Sequence, residues 1–340
     1  MRKIIINVFQ YVFFLGLGLF LIWYTTRHLS TEEVSMMKAS LKNAHYLLVL
    51  PTMLLLMAAH YSRALRWKIL MEPLGFQPSA ANTFIAVMLG YFFNLLVPRL
   101  GEVMKCTILA RYEKTPVDKL IGTMVAERAF DMICLLLIIF ITVFLQINLV
   151  GDFLSLELRK FFITKSGNFQ TGKVLAVIGI LAAFIILFRF ILYKYRHIVI
   201  IDKIRGIIRG IWEGLTSVKL VKRKTAFFLH TIFIWAMYLM SIRVGFYAMD
   251  AVSTLGIRPS FTILSFGSIA GIITQGGIGA YQLAVQKTLL LYDINEVDGL
   301  AFGWLLWLAQ TVMVLGIGFL CLVILPLVNR KKNEGQPAYQ

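Results

Sequence analysis

Three short stretches carry the side chains that could do chemistry. NLLVPRLGEVMK (94–105) sets Asn94, Pro98, Arg99, Gly101, Glu102 and Lys105 in otherwise apolar surroundings. MVAERAFDMICLL (124–136) does the same with Glu127, Arg128 and Asp131, and TQGGIGAYQ (274–282) places Gly276, Gly277 and Gly279 just before Gln282. Glu127 and Asp131 are four residues apart, so a helix would put both on one face. Carboxylates so placed could share acid–base work in hydrolysis. They could equally pair with Arg63, Arg66 or Lys105, leaving Arg128 to snorkel to an interface. No nucleophile or metal-ligand pattern accompanies them. His28, His45, His60, His197 and His230 are scattered, and Cys106, Cys134 and Cys321 lack metal or disulfide spacing. The sequence therefore predicts no catalytic residue, no metal and no cofactor.

The first and third stretches suggest a different chemistry. A break in an apolar segment frees backbone groups that must find partners or line a polar cavity. Glycine permits the tight turn and the close approach that such a break needs. The arm that resumes after the break starts a helix, whose N–H groups and dipole favour an anion. Two such ends, with Arg99 and Lys105 near one of them, would suit a phosphate headgroup. Glu102 reads either as a first-turn carboxylate answering the dipole or as an exchangeable partner for Arg or Lys. Glycines also serve plain helix packing. Arg243 could neutralise a headgroup or anchor an interface.

These residues need a membrane around them. The chain is 59% hydrophobic with a mean hydropathy of +0.78, and only 15% of its residues are charged, against about 25% in soluble domains. The formal charge of +17, from 34 basic and 17 acidic residues, would suggest nucleic acid in a soluble protein. Here the cations sit between apolar segments, which reads as orientation and contact with anionic lipid headgroups. Nucleic acid is not an expected partner.

A crossing takes roughly 20 apolar residues. Full spans are expected at 4–24, 44–62, 119–147, 174–193, 225–248 and 299–326. The apolar regions 81–112 and 260–292 are interrupted at 98–101 and 275–279, which leaves arms too short to cross. Loop 194–224 carries nine Lys/Arg against two acids and reads as cytoplasmic. Residues 201–218 within it have the period of an amphipathic helix. Arg63, Arg66 and Lys68 are read as a basic loop after the second span. All basic loops fall inside if 81–112 is a re-entrant hairpin entered from the cytoplasm and 260–292 one entered from outside. The prediction is an all-α polytopic membrane protein of eight apolar segments, six full transmembrane helices plus two re-entrant hairpins, in an inverted repeat (about 1–150 and 170–326). A cytoplasmic tail follows at 327–340, with both termini cytoplasmic in a cell (inner) membrane. Broken segments at matching places in two halves point to a substrate site at mid-membrane.

Four pieces in order, SRALRWKILM (62–71), NLLVPRLGEVMKC (94–106), VAERAFDMICL (125–135) and QGGIGAYQ (275–282), resemble the transmembrane region of lysylphosphatidylglycerol synthase/flippase proteins. The resemblance implies movement of a lipid or lipid-linked headgroup between leaflets. It also implies functional roles for Arg66, Asn94, Pro98, Gly101, Glu102, Lys105, Glu127, Arg128, Asp131, Gly276, Gly277 and Gly279. Gln275 and Gln282 stand near places where the family often has proline and glutamate, which removes a carboxylate that proton coupling would use. With 340 residues, no aminoacyl-transferase domain and no lysyl transfer are expected. The alternatives are a membrane enzyme acting on lipid-linked sugar or phosphate and a glycosyltransferase partner. The expected partners are membrane lipids, anionic or lipid-linked, with a homo-oligomer or a lipid-modifying enzyme as further candidates.

Overall fold

The computed structural model describes residues 16–27, 29–97, 100–146 and 221–333. Their regular structure is helical throughout: α1 (Gly16–Thr26), α2 (Thr31–Lys42), α3 (Val49–Met71), α4 (Ala80–Leu96), α5 (Leu100–Glu113), α6 (Val117–Leu145), α7 (Lys224–Gly245), α8 (Ile257–Ile273), α9 (Ala280–Leu290) and α10 (Glu296–Asn333), with short 3-10 turns between several of them. Polar α2 opens on a capping box. Ser30 N–H donates to the Glu33 carboxylate at 2.7 Å, and Glu33 N–H donates to Ser30 Oγ at 3.2 Å. Those bonds hold the Glu33 carboxyl below its ordinary range.

Among the described residues, four elements are long and apolar enough to cross a membrane: Tyr46–Leu74, Val117–Leu145, Lys224–Ala248 and Glu296–Arg330. They answer the expected spans 44–62, 119–147, 225–248 and 299–326. Span 4–24 is described from residue 16 only. Span 174–193 and the amphipathic stretch 201–218 lie outside the described residues, as do Pro98 and Arg99. One expectation is corrected. The second span does not end at 62 but runs on to Met71, so Arg63, Arg66 and Lys68 are helical rather than a basic loop. No helix breaker follows Arg63 before Pro73 and Gly75, the latter at φ 84°, and Glu127 and Asp131 replace the water Arg63 and Arg66 would otherwise need.

The interrupted regions fold back on themselves. In the first, Asn94 accepts from Gly101 N–H at 2.9 Å, and at the far end Asn82 and Ser79 donate to Glu113 at 2.6 and 2.8 Å. Helices α4 and α5 thus run antiparallel from a shared base. In the second, Gly267 on α8 faces the Tyr281 ring on α9, while Thr262 and Tyr292 share a hydrogen bond of 2.9 Å near the base. The arms α4, α5, α8 and α9 have 17, 14, 17 and 11 residues. That is roughly 25, 21, 25 and 17 Å at 1.5 Å per residue, short of the ~30 Å hydrocarbon thickness.

The two hairpins enter from opposite ends. Helix α3 lies antiparallel to α7: Ser62 contacts His230 at 2.9 Å, His45 N–H donates to the Ala248 carbonyl at 2.8 Å, and Arg223 pairs with Glu72. Hairpin α4–α5 follows α3 at the Glu72 end, where Asn82 also exchanges hydrogen bonds with Asn329 near the end of α10. Hairpin α8–α9 follows α7 at the His45 end. Each hairpin also packs against a long helix distant from it in sequence. Phe92 of α4 lies over Gly318 of α10, and Ser265 of α8 bonds Thr142 of α6 at 2.8 Å. Outward faces are strongly apolar, with Leu54, Phe140 and Ile232 each about two-thirds exposed (69%, 68% and 66%), as lipid contact requires.

Candidate functional site

Each reversal forms by a different local device. On the first hairpin a Cβ at Gly101 would overlap the Gly90 carbonyl oxygen and the Asn94 side chain. Glycine there serves close approach. The Asn94 oxygen that accepts from Gly101 N–H answers one of the free donors at the start of α5. On the second hairpin Gly276, Gly277 and Gly279 take φ of 60°, 76° and 75°, which side chains with a Cβ rarely adopt. Trp307 of α10 donates its indole N–H to the Gly276 carbonyl at 2.7 Å. The tips meet: a Cβ at Gly276 would sit 3.2 Å from Leu95 Cδ2.

A cavity of about 460 Å³ opens where the tips meet. Its wall draws on α3 (Thr52, His60), α4 (Tyr91, Asn94), α7 (Tyr238, Ser241), α8 and its tip (Ser268, Gly271, Gly277), α9 (Tyr281) and α10 (Trp307, Gln310). Gly271, Ile272 and Gln310, on α8 and α10, are exposed and mark a lateral mouth among the described residues. Among the described residues the wall has hydrogen-bonding side chains but no Asp, Glu, Lys or Arg. Arg99, expected near the first tip, lies outside the described residues, and Arg63, Arg66 and Lys105 are paired outside the cavity.

Those cations form a buried cluster next to the cavity, on α3, α5 and α6. Arg63 donates to Glu127 at 3.1 Å and to Asp131, and Arg66 donates to Asp131 at 2.6 Å and approaches Glu127 at 3.5 Å. Lys105 Nζ reaches the other Glu127 oxygen at 2.7 Å and lies 4.0 Å over the Trp67 ring. Glu127 and Arg66 are fully buried, and Arg63 and Lys105 are 5% exposed. Both acids thus take the pairing role rather than standing free for acid–base work. Three cations face two carboxylates, and Arg66 further meets Thr231 and the Phe227 ring. Arg128 does not simply snorkel: it pairs with Glu102 in the first turn of α5, with nearly half its side chain exposed. A second, very small hollow lies there against Gly90, Asn94, Gly101, Glu102, Lys105 and Arg128.

Of the sequence-expected residues, Asn94, Gly276 and Gly277 line the main cavity. Arg66, Gly101, Glu102, Lys105, Glu127, Arg128 and Asp131 make the adjoining network. Gly279 packs against α1, where a Cβ would overlap the Gly18 carbonyl. Arg243 is apart from both, bonded to Tyr247 Oη at 2.8 Å. Gln282 is buried at the α9–α10 contact beside Gly303, with neither amide atom hydrogen-bonded. Sequence reading missed His60, Tyr91 and Tyr238. His60 is buried, lies against the tilted Tyr91 ring with centroids 4.4 Å apart, and has no hydrogen-bond partner on either ring nitrogen. Its spacing of three and seven from Arg63 and Trp67 puts it on their helical face, a signal that was there to use.

Comparison with known proteins bears on what this arrangement is for. Residues 8–332 match the family described as the lysylphosphatidylglycerol synthase TM region, and the chain belongs to it. A UPF0104 membrane protein of Methanocaldococcus jannaschii is 32% identical over 69 residues, 19% of this chain and 20% of that protein, so the chain aligns with about a fifth of that relative's length. No solved structure matches.

Proposed function

With membership of the lysylphosphatidylglycerol synthase transmembrane-region family as premise, we propose that this protein moves a lipid or lipid-linked headgroup between leaflets, with its two hairpins re-entrant in the bilayer. The observation that carries the reading is the cavity walled by the tips of two hairpins whose bases lie at opposite ends, with a side mouth among the described residues. A headgroup would occupy the polar space while its acyl chains stay outside, past Gly271 and Ile272. Helix breaks at mid-depth are tolerated where backbone lines a cavity, and sites between oppositely entering broken segments suit alternating access. The basic end, with Lys114, Lys222, Arg223 and Arg330, is assigned to the cytoplasm of a cell membrane. Cysteines introduced at Lys114 and Arg258 should then be accessible from opposite sides. A non-enzymatic role fits the carboxylates, since all four oxygens of Glu127 and Asp131 are engaged by cations.

The test is headgroup translocation in liposomes containing purified protein, followed with a quenchable lipid. Translocation should exceed that of protein-free vesicles. Gly271→Trp should abolish it, since a Cβ at Gly271 meets nothing within 4 Å and the indole would fill the mouth without disturbing the fold. Equal rates with and without folded protein would refute the reading.

A further inference from the structure

The described wall of the cavity is uncharged, yet it contains a buried side chain that demands a partner. His60 is 3% exposed and both ring nitrogens lack one. In the neutral ring one nitrogen donates and the other accepts, whichever tautomer forms. Leaving buried polar atoms unpaired is unfavourable, so an occupant that offers only one kind of hydrogen bond leaves the ring half satisfied. A phosphodiester can only accept, and a quaternary ammonium can do neither. A hydroxyl does both.

The surroundings point the same way. Tyr238 Oη accepts from Arg63 at 3.4 Å, which leaves the phenol proton free to donate into the cavity. Asn94, Ser241 and Gln310 add neutral hydrogen-bonding groups to the wall. Tyr91, Tyr281 and Trp307 contribute aromatic surface of the kind on which the C–H faces of a polyol can lie. Arg63, Arg66 and Lys105, which could serve a bare phosphate, are turned toward Glu127 and Asp131 instead.

We propose that this cavity recognises a neutral, hydroxyl-rich headgroup, a glycosyl or polyol group, through His60, Tyr91 and Tyr238. The assignment rests on the headgroup-moving reading and names its substrate class.

The experiment places the full chain in phosphatidylcholine nanodiscs and titrates three probes: dioctanoyl glucosyl-glycerol lipid, dioctanoyl phosphatidylcholine and free methyl glucoside. Quenching of tryptophan fluorescence is the readout, since Trp307 lines the space. The glucosyl lipid should saturate at least tenfold more tightly than the phosphatidylcholine, and His60→Phe should remove that preference. Tyr238→Phe, which deletes one oxygen, should weaken glucosyl binding severalfold and guards against a folding defect in the first variant. Methyl glucoside competing at equal concentration would assign the site to a free sugar, and competition only by the lipid would assign it to a lipid headgroup; either supports the hydroxyl chemistry. Equal affinity for the two lipids, or a glucosyl preference untouched in both variants, overturns it. The liposome assay separates the two claims. Glucosyl lipid bound but not translocated refutes transport and leaves the recognition intact. Both lipids translocated at equal rates, with no binding preference, refutes the recognition and leaves transport intact.

Discussion

Hairpin α4–α5 is tied to its surroundings by charge, whereas hairpin α8–α9 is shaped by its own backbone. The first carries Glu102 and Lys105, which reach Arg128 and Glu127 on α6. The second has no charged residue between Arg258 and Lys287. It turns on three left-handed glycines, and one indole on α10 bonds its tip. Both need a glycine on the first arm where the second crosses, Gly90 against Lys105 and Gly267 against Tyr281. The same shape is thus reached twice from unrelated side chains. Among the described residues the buried ion network joins only the first hairpin to α3 and α6, while the cavity is walled by both hairpins.

The comparison can be broken most forcefully at Glu127. Glu127→Ala leaves Lys105 and the two arginines facing Asp131 alone, and loss of one partner of a buried pair costs about 3–5 kcal/mol. Unfolding followed by a thiol-reactive dye, for which buried Cys106 and Cys321 are reporters, should show a large drop in Tm. A near-unchanged Tm would mean that charge does not hold the first hairpin. Next is Gly101→Ala, whose methyl would overlap the Gly90 carbonyl; overpacking of this kind costs about 1–3 kcal/mol, and the same assay reads it. Trp307→Phe removes one hydrogen bond, worth about 0.5–1.5 kcal/mol. Hydrogen exchange should quicken at 274–279 and not at 100–105, and equal quickening at both tips would erase the contrast drawn here. The smallest effect belongs to Arg128→Gln. Its pair with Glu102 is half-exposed, and such pairs contribute at most about 1 kcal/mol, so a Tm close to that of the parent is expected. A drop as large as that for Glu127→Ala would put Arg128 inside the buried network.

Much of this was legible residue by residue. The breaks at 98–101 and 275–279 stood out because glycine, proline and polar side chains interrupt apolar runs, and both are reversals in the structure. The end of the second span was misread because Arg63, Arg66 and Lys68 look like a loop when each cation is assumed to need water. The partners that make them tolerable are remote: Arg63 and Glu127 are 64 residues apart. The spacing of His60 already put it on the face of Arg63 and Trp67, but that it lacks a partner is visible only once its neighbours are known.

By itself the sequence determined the membrane environment, the apolar segments, the places where two of them break and the resemblance that family membership bears out. These follow from composition and from order along the chain, which set the hydration of each stretch locally. Only the tertiary structure decided which acid neutralises which base, that the hairpin tips touch, and that the described wall of the space between them is polar without charge. Those outcomes depend on where helices distant in sequence cross, and a buried charge keeps whatever partner that crossing puts within a few ångströms.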